Sequence, residues 1–66
     1  MRLVVNGDSR TLDGVSTVAD LVREFDLTPE RVAVEVNEQL VRRANYAQTP
    51  LKDGDHVEIV TLVGGG

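Results

Sequence analysis

The chain has no cysteine and only two aromatic residues, Phe25 and Tyr46, and each shortage removes a class of function. Without thiols there is no disulfide, no thiolate nucleophile and no thiolate metal site. That is compatible with a cytoplasmic location, which is the expectation here. Two aromatics offer almost nothing on which bases could stack, and a net charge of −4 lacks the basic footprint that phosphates require. Long apolar runs are missing too. Stretches such as Leu3-Val4-Val5 are far shorter than a signal h-region or a membrane span. Nucleic acid and membrane are therefore excluded as expected partners, and a protein is left.

Sixty-six residues suffice for one domain. Burial of a Val or Leu side chain contributes about 1.5–3 kcal/mol, while ordering each residue costs about 1.5 kcal/mol. A core this small needs its apolar residues for folding and supports no deep polar pocket. Function is expected on the surface or at a terminus, in a chain that is a monomer when free.

Leu3-Val4-Val5, Asn6-Gly7 and Ser9-Arg10-Thr11-Leu12 read as a β-hairpin, because Asn-Gly readily takes the positive φ angles of a tight turn. Thr17 is placed to cap a helix, with Asp20 three residues on. Val18, Leu21, Val22 and Phe25 then fall on one helical stripe. Thr28-Pro29-Glu30 resembles a second, very short helix start. Val32–Val36 alternates like a strand, Asn37-Glu38-Gln39 is a turn, and Leu40-Val41-Arg42 returns. Residues 43–50 show no period and read as a loop with one helical turn near Tyr46. Asp53-Gly54-Asp55 is a turn before a last strand from His56 to about Leu62. The helix must cover one sheet face, with the first and last strands side by side at the centre. The predicted fold is α+β: a ubiquitin-like β-grasp, with a mixed sheet of four to five strands and one main helix on one face. Residues 1–63 form that domain and residues 64–66 a flexible glycine tail.

Gly64-Gly65-Gly66 is the most telling feature. On composition alone it is equally a frayed end. It follows directly on an apolar strand, however, and no helix follows to make it a phosphate loop. Residues without a Cβ can enter a narrow active-site channel and deliver the α-carboxylate of Gly66. That carboxylate is ionised and inert as an acyl donor. Adenylation by ATP would make it a mixed anhydride with AMP as leaving group, and sulfur could displace AMP to give a thiocarboxylate. ATP and the electrostatics belong to the partner, so no bound cofactor, metal or catalytic side chain is expected. His56, the only histidine, reads as an ordinary exposed residue. Asp53-Gly54-Asp55 lacks the spacing of a calcium loop and fits a turn. Arg42-Arg43 reads as solvent-facing, with a docking role open.

Leu3-Val4-Val5-Asn6-Gly7, Thr17-Val18-Ala19-Asp20-Leu21, residues 32–37, residues 53–60 and the terminal glycines, in this order and spacing, resemble the family of sulfur carrier proteins of thiamine biosynthesis. The resemblance implies a β-grasp fold and adenylation of Gly66 by an E1-like adenylyltransferase. It also implies sulfur from a cysteine desulfurase and delivery of that sulfur to thiazole synthase. Gly65 and Gly66 match the family's terminal pair, while Gly64 stands where other small residues also occur. Arg42 and Tyr46 depart from a proline and a tryptophan common in the family, which bears on the local loop only. Three other readings stand beside this one. The small subunit of molybdopterin synthase has the same chemistry but a proline before its glycines, absent from Thr61-Leu62-Val63-Gly64. A ubiquitin-like modifier would have Lys52 as its only side-chain attachment point. In a plain interaction domain Gly66 would be dispensable.

Strand parity adds a docking expectation. Val57 and Ile59 alternate with His56 and Glu58, so the first pair faces the helix and the second solvent. The same alternation puts Val60 and Leu62 on the solvent side, where they form a contact patch for partner enzymes unless a bulge or a covering loop buries them.

Overall fold

The computed structural model describes residues 1–62. Val63 and the glycines Gly64, Gly65 and Gly66 lie outside the described residues. The strands are β1 (Arg2–Val5), β2 (Asp8–Thr11), β3 (Val32–Val36), β4 (Gln39–Val41) and β5 (His56–Thr61), with one α-helix, α1 (Val18–Glu24). They form a five-stranded sheet in the order β2-β1-β5-β3-β4. β1 and β5 run parallel at its centre, and the other pairs are antiparallel.

Asn6 and Gly7 take φ of 51° and 86°, the left-handed turn the dipeptide predicts. The hairpin turn between β3 and β4 uses Asn37 and Glu38, at φ of 51° and 70°, with no glycine to ease it. β2 is exposed throughout, and Asp8-Ser9-Arg10-Thr11 makes it a polar edge that resists pairing with a second molecule.

α1 begins as its sequence predicts. The Asp20 amide donates to the Thr17 hydroxyl at 3.2 Å, and the Asp20 carboxylate accepts from the amides of Thr17 at 3.1 Å and Ser16 at 2.9 Å. The helix ends earlier than the stripe through Phe25 implies. Phe25 caps it, half-buried, with the Arg10 guanidinium 5.1 Å from its ring centre. Asp26 takes a left-handed φ of 59°. The Asp26 amide reaches Arg23 O at 2.9 Å, and the Leu27 amide reaches Val22 O at 3.0 Å, a Schellman ending built without glycine.

The core is the helix face Val18, Leu21 and Val22 against the inward sheet residues Leu3, Val5, Val34, Val57 and Ile59. Residues 43–48 form a 3₁₀ segment. It buries Tyr46, whose hydroxyl donates to Val32 O at 3.4 Å, and burial pushes that phenol's pKa up, so it stays a neutral donor. The Val18 amide donates to Thr49 O at 3.0 Å and the Leu51 amide to Ser16 O at 2.8 Å, tying this segment to the start of α1. A short 3₁₀ turn at Pro29–Arg31 leads into β3.

Thr17→Ala is expected to cost about 1 kcal/mol of stability in urea unfolding. The backbone amides of Ser16 and Thr17 hold the Asp20 carboxyl below its ordinary value of 3.8. A depressed carboxylate pKa stabilises the fold above the unfolded-state value, and this is lost as pH falls through the folded one. The gap in melting temperature between wild type and Asp20→Asn should therefore be full at neutral pH and shrink as pH drops below 3.8. A gap constant down to acid pH would contradict this cap.

Candidate functional site

Every functional residue expected from the sequence lies on β5 or beyond it, and β5 is the central strand. It is held along both edges, partly by asparagine side chains. On the β1 side, the Asn6 amide donates to Val57 O at 2.8 Å. Past the end of β1, the Asn6 side chain continues the pairing: Oδ1 accepts from the Ile59 amide at 2.8 Å, and Nδ2 donates to Ile59 O at 3.1 Å. On the β3 side, the Asn37 amide donates to His56 O at 2.7 Å, and Asn37 Oδ1 accepts from the His56 amide at 3.0 Å.

Asn37 Nδ2 also donates to Asp55 Oδ1 at 3.0 Å, and Asp55 Oδ2 accepts from the Lys52 amide at 2.8 Å. Asp55 is thus the one buried charged residue among those described, and it is satisfied by turn partners. Asp53 Oδ1 accepts from the Arg2 amide at 2.6 Å. The Asp53-Gly54-Asp55 segment is a turn, as its sequence reads. No group of three His, Cys, Asp or Glu among the described residues could hold a metal ion. No helix among them is long and apolar enough to cross a membrane.

The two faces of β5 differ sharply. Val57 and Ile59 are buried under α1, with relative exposures of 1% and 7%, and His56 and Glu58 are exposed on the opposite face. Val60 and Leu62 lie on that outer face, 58% and 54% exposed, with no bulge or loop among the described residues covering them. The Leu62 amide donates to Arg31 O at 2.7 Å, so the backbone pairing extends one residue past β5. Gly64, Gly65 and Gly66 come two residues later in the chain and lie outside the described residues. Arg42 and Arg43 are exposed at the start of the 3₁₀ segment, and Lys52 is exposed in the turn before β5.

Leu40 was not expected on this surface, yet at 68% it is the most exposed large apolar residue among those described. In the β3–β4 hairpin it stands opposite Glu35, and Glu35 stands opposite Glu58 on β5. Ala33 pairs with Val60 in the neighbouring row. Leu40, Ala33, Val60 and Leu62 therefore share one open apolar surface with two glutamates on it. The register accounts for it: Val41 faces inward opposite Val34, so its neighbour Leu40 faces outward.

A mixed five-stranded sheet with its first and last strands parallel at the centre, and one helix on one face, is a ubiquitin-like β-grasp domain. The crystal structure of a thiamine biosynthesis protein (ThiS) from Geobacter metallireducens superposes with a TM-score of 0.82 at 38% identity, covering 100% of both chains. The ThiS family model matches residues 3–66, and the chain belongs to that family. The sulfur carrier protein ThiS of Thermus thermophilus is 37% identical over 62 residues, 94% of this chain and 95% of that one. A thiazole synthase of Paramagnetospirillum magneticum is 42% identical over all 66 residues, which span 20% of its length. Of the two carrier types weighed from the sequence, the family matched is that of thiamine biosynthesis.

The two faces of β5 make a direct contrast in stability. Ile59→Ala is expected to cost about 2–4 kcal/mol, because it leaves a cavity under α1. Leu62→Ala should change stability by less than about 0.5 kcal/mol. Chemical denaturation of both variants checks this, and a large loss in Leu62→Ala would place that side chain in the core.

Proposed function

We propose that this chain is a sulfur carrier of thiazole formation in thiamine biosynthesis and that the carboxylate of Gly66 is the group it carries sulfur on. The observation that carries the reading is the family match over residues 3–66, together with a sulfur carrier of nearly equal length. The domain of residues 1–63 serves as a handle, and residues 64–66 as the part that enters partner active sites. No side chain of the carrier does the chemistry.

A Gly66 carboxylate oxygen attacks the α-phosphorus of ATP on an E1-like adenylyltransferase, a P–O bond breaks, and pyrophosphate leaves. The terminal sulfur of a persulfide from a cysteine desulfurase then attacks the acyl carbon. A C–S bond forms and AMP departs with the C–O electron pair. A thiol cleaves the remaining S–S bond, taking the other sulfur into a disulfide and leaving a thiocarboxylate on Gly66. Thiazole synthase accepts the sulfur from there. Val60 and Leu62 are the docking residues, since they are the large apolar side chains of the central strand and its continuation that folding leaves exposed. The setting of this chemistry is cytoplasmic, and the carrier is a monomer between encounters.

Incubation with ATP, the adenylyltransferase and a persulfide donor should raise the intact mass by one oxygen-to-sulfur exchange confined to the C-terminal peptide. An unchanged mass with active partners refutes the carrier reading. Removal of Gly65 and Gly66 should leave the melting temperature unchanged and abolish thiazole formation; retained formation would place the sulfur elsewhere.

Leu62→Asp should weaken binding to the adenylyltransferase or the thiazole synthase while the melting temperature holds. Unchanged affinity for both enzymes would remove Leu62 from the docking surface.

A further inference from the structure

The outer sheet face carries a feature that folding does not explain. Glu35 on β3 and Glu58 on β5 are directly opposed in the antiparallel register, and both are exposed. Opposed residues in such a pair have Cα atoms about 4.5–5.5 Å apart and project on the same side. Like charges directly opposite destabilise a sheet. Neither carboxylate has an ion-pair partner among the described residues, where the one ion pair is Arg23 with Asp20, on α1. Around the two carboxylates lie Leu40, opposite Glu35 on the other side, and the row of Ala33 and Val60. Leu62 lies beyond, toward the tail.

We propose that thiazole synthase places an arginine between Glu35 and Glu58, with aliphatic side chains around it that pack on Leu40, Val60 and Leu62. This rests on the carrier reading above and names the chemistry of one of its partners. A guanidinium fits this position better than an ammonium. Its planar fork offers five donors and can address two carboxylates at once, and its weak hydration suits an apolar rim. Contact with the partner turns the repulsion between the two glutamates into attraction to a shared cation. The same residues then bias encounter toward a basic surface while the apolar rim supplies burial. The choice of thiazole synthase comes from the relatives. In the Paramagnetospirillum enzyme a segment matching all 66 residues lies on the same polypeptide as the synthase, which keeps the two surfaces at high effective concentration.

The experiment measures binding of the full chain to purified thiazole synthase over a range of salt concentrations. Wild type is compared with Glu35→Gln, Glu58→Gln, the double variant and Leu62→Asp. The double variant is expected to bind about tenfold more weakly or worse and to lose most of the salt dependence. Its melting temperature should be equal or higher, because the repulsion is gone. Unchanged affinity and an unchanged salt slope in the glutamine variants, with Leu62→Asp still weakened, would overturn the arginine site and leave the docking face standing. Unchanged binding in all four variants would overturn both. Phenylglyoxal treatment of the synthase, which modifies arginine, should reduce binding, and prior complex formation should protect against it. Loss on lysine acetylation with no effect of phenylglyoxal would overturn the choice of arginine.

Discussion

α1 is seven residues long, about two turns of helix, and it packs on only one face of a five-stranded sheet. The face it covers holds Leu3, Val5, Val34, Val57 and Ile59, and these residues with the helix stripe are most of the core. The other face has no layer over it among the described residues. A chain that needs nearly all its apolar residues for folding nonetheless leaves Leu40, Val60 and Leu62 there in water. Their positions obey the pleat, so each occupies a site where a polar residue would cost the core nothing. The docking proposed above would give these side chains the second surface that folding does not supply.

The central strand also has to be rigid at both edges if it is to aim the residues beyond its end. β1 stops at Val5, because Asn6 and Gly7 must turn the chain, yet β5 continues for several residues. The Asn6 side chain fills the gap, since an amide presents the same donor and acceptor as a peptide group. Asn37 does the same at the opposite edge while its own backbone sits in a left-handed turn. Asparagine suits both tasks at once: it tolerates positive φ, and its short side chain reaches the neighbouring strand.

Elements set by local chemistry were legible in the sequence. The Asn-Gly turn, the Thr17–Asp20 cap and the alternation in β3 and β5 appear as expected, and so does β1 beside β5, which followed from the layer arrangement and not from local chemistry. Most of what stayed hidden depends on partners distant in the chain. Asn6 and Asn37 could be read as turn residues, but their side-chain bonds to Ile59 and His56 exist only once β5 lies alongside. The end of α1 at Phe25 was hidden because Asp26, not glycine, takes the left-handed position. Leu40 and the Glu35–Glu58 opposition required the register of two strand pairs. Alternation tells which residues share a face within one strand, while only pairing tells which residues stand together across strands.

This division of labour suits the carrier proposed here. Its chemistry needs a carboxylate, a leaving group made by another enzyme and a sulfur nucleophile, none of which draws on the folded domain. The domain can then be optimised for recognition, and successive partners must all grip the same small object and release it. A purely apolar patch would bind each partner by area alone and discriminate poorly, and in the free protein it would risk self-association. Two unpaired glutamates on that patch oppose self-association, because a second copy would bring its own glutamates against them. They favour a basic partner for the same reason. Electrostatic repulsion within the free carrier is thus a means of discrimination, and its modest cost in stability is tolerable because the buried face of β5 holds the fold together without it.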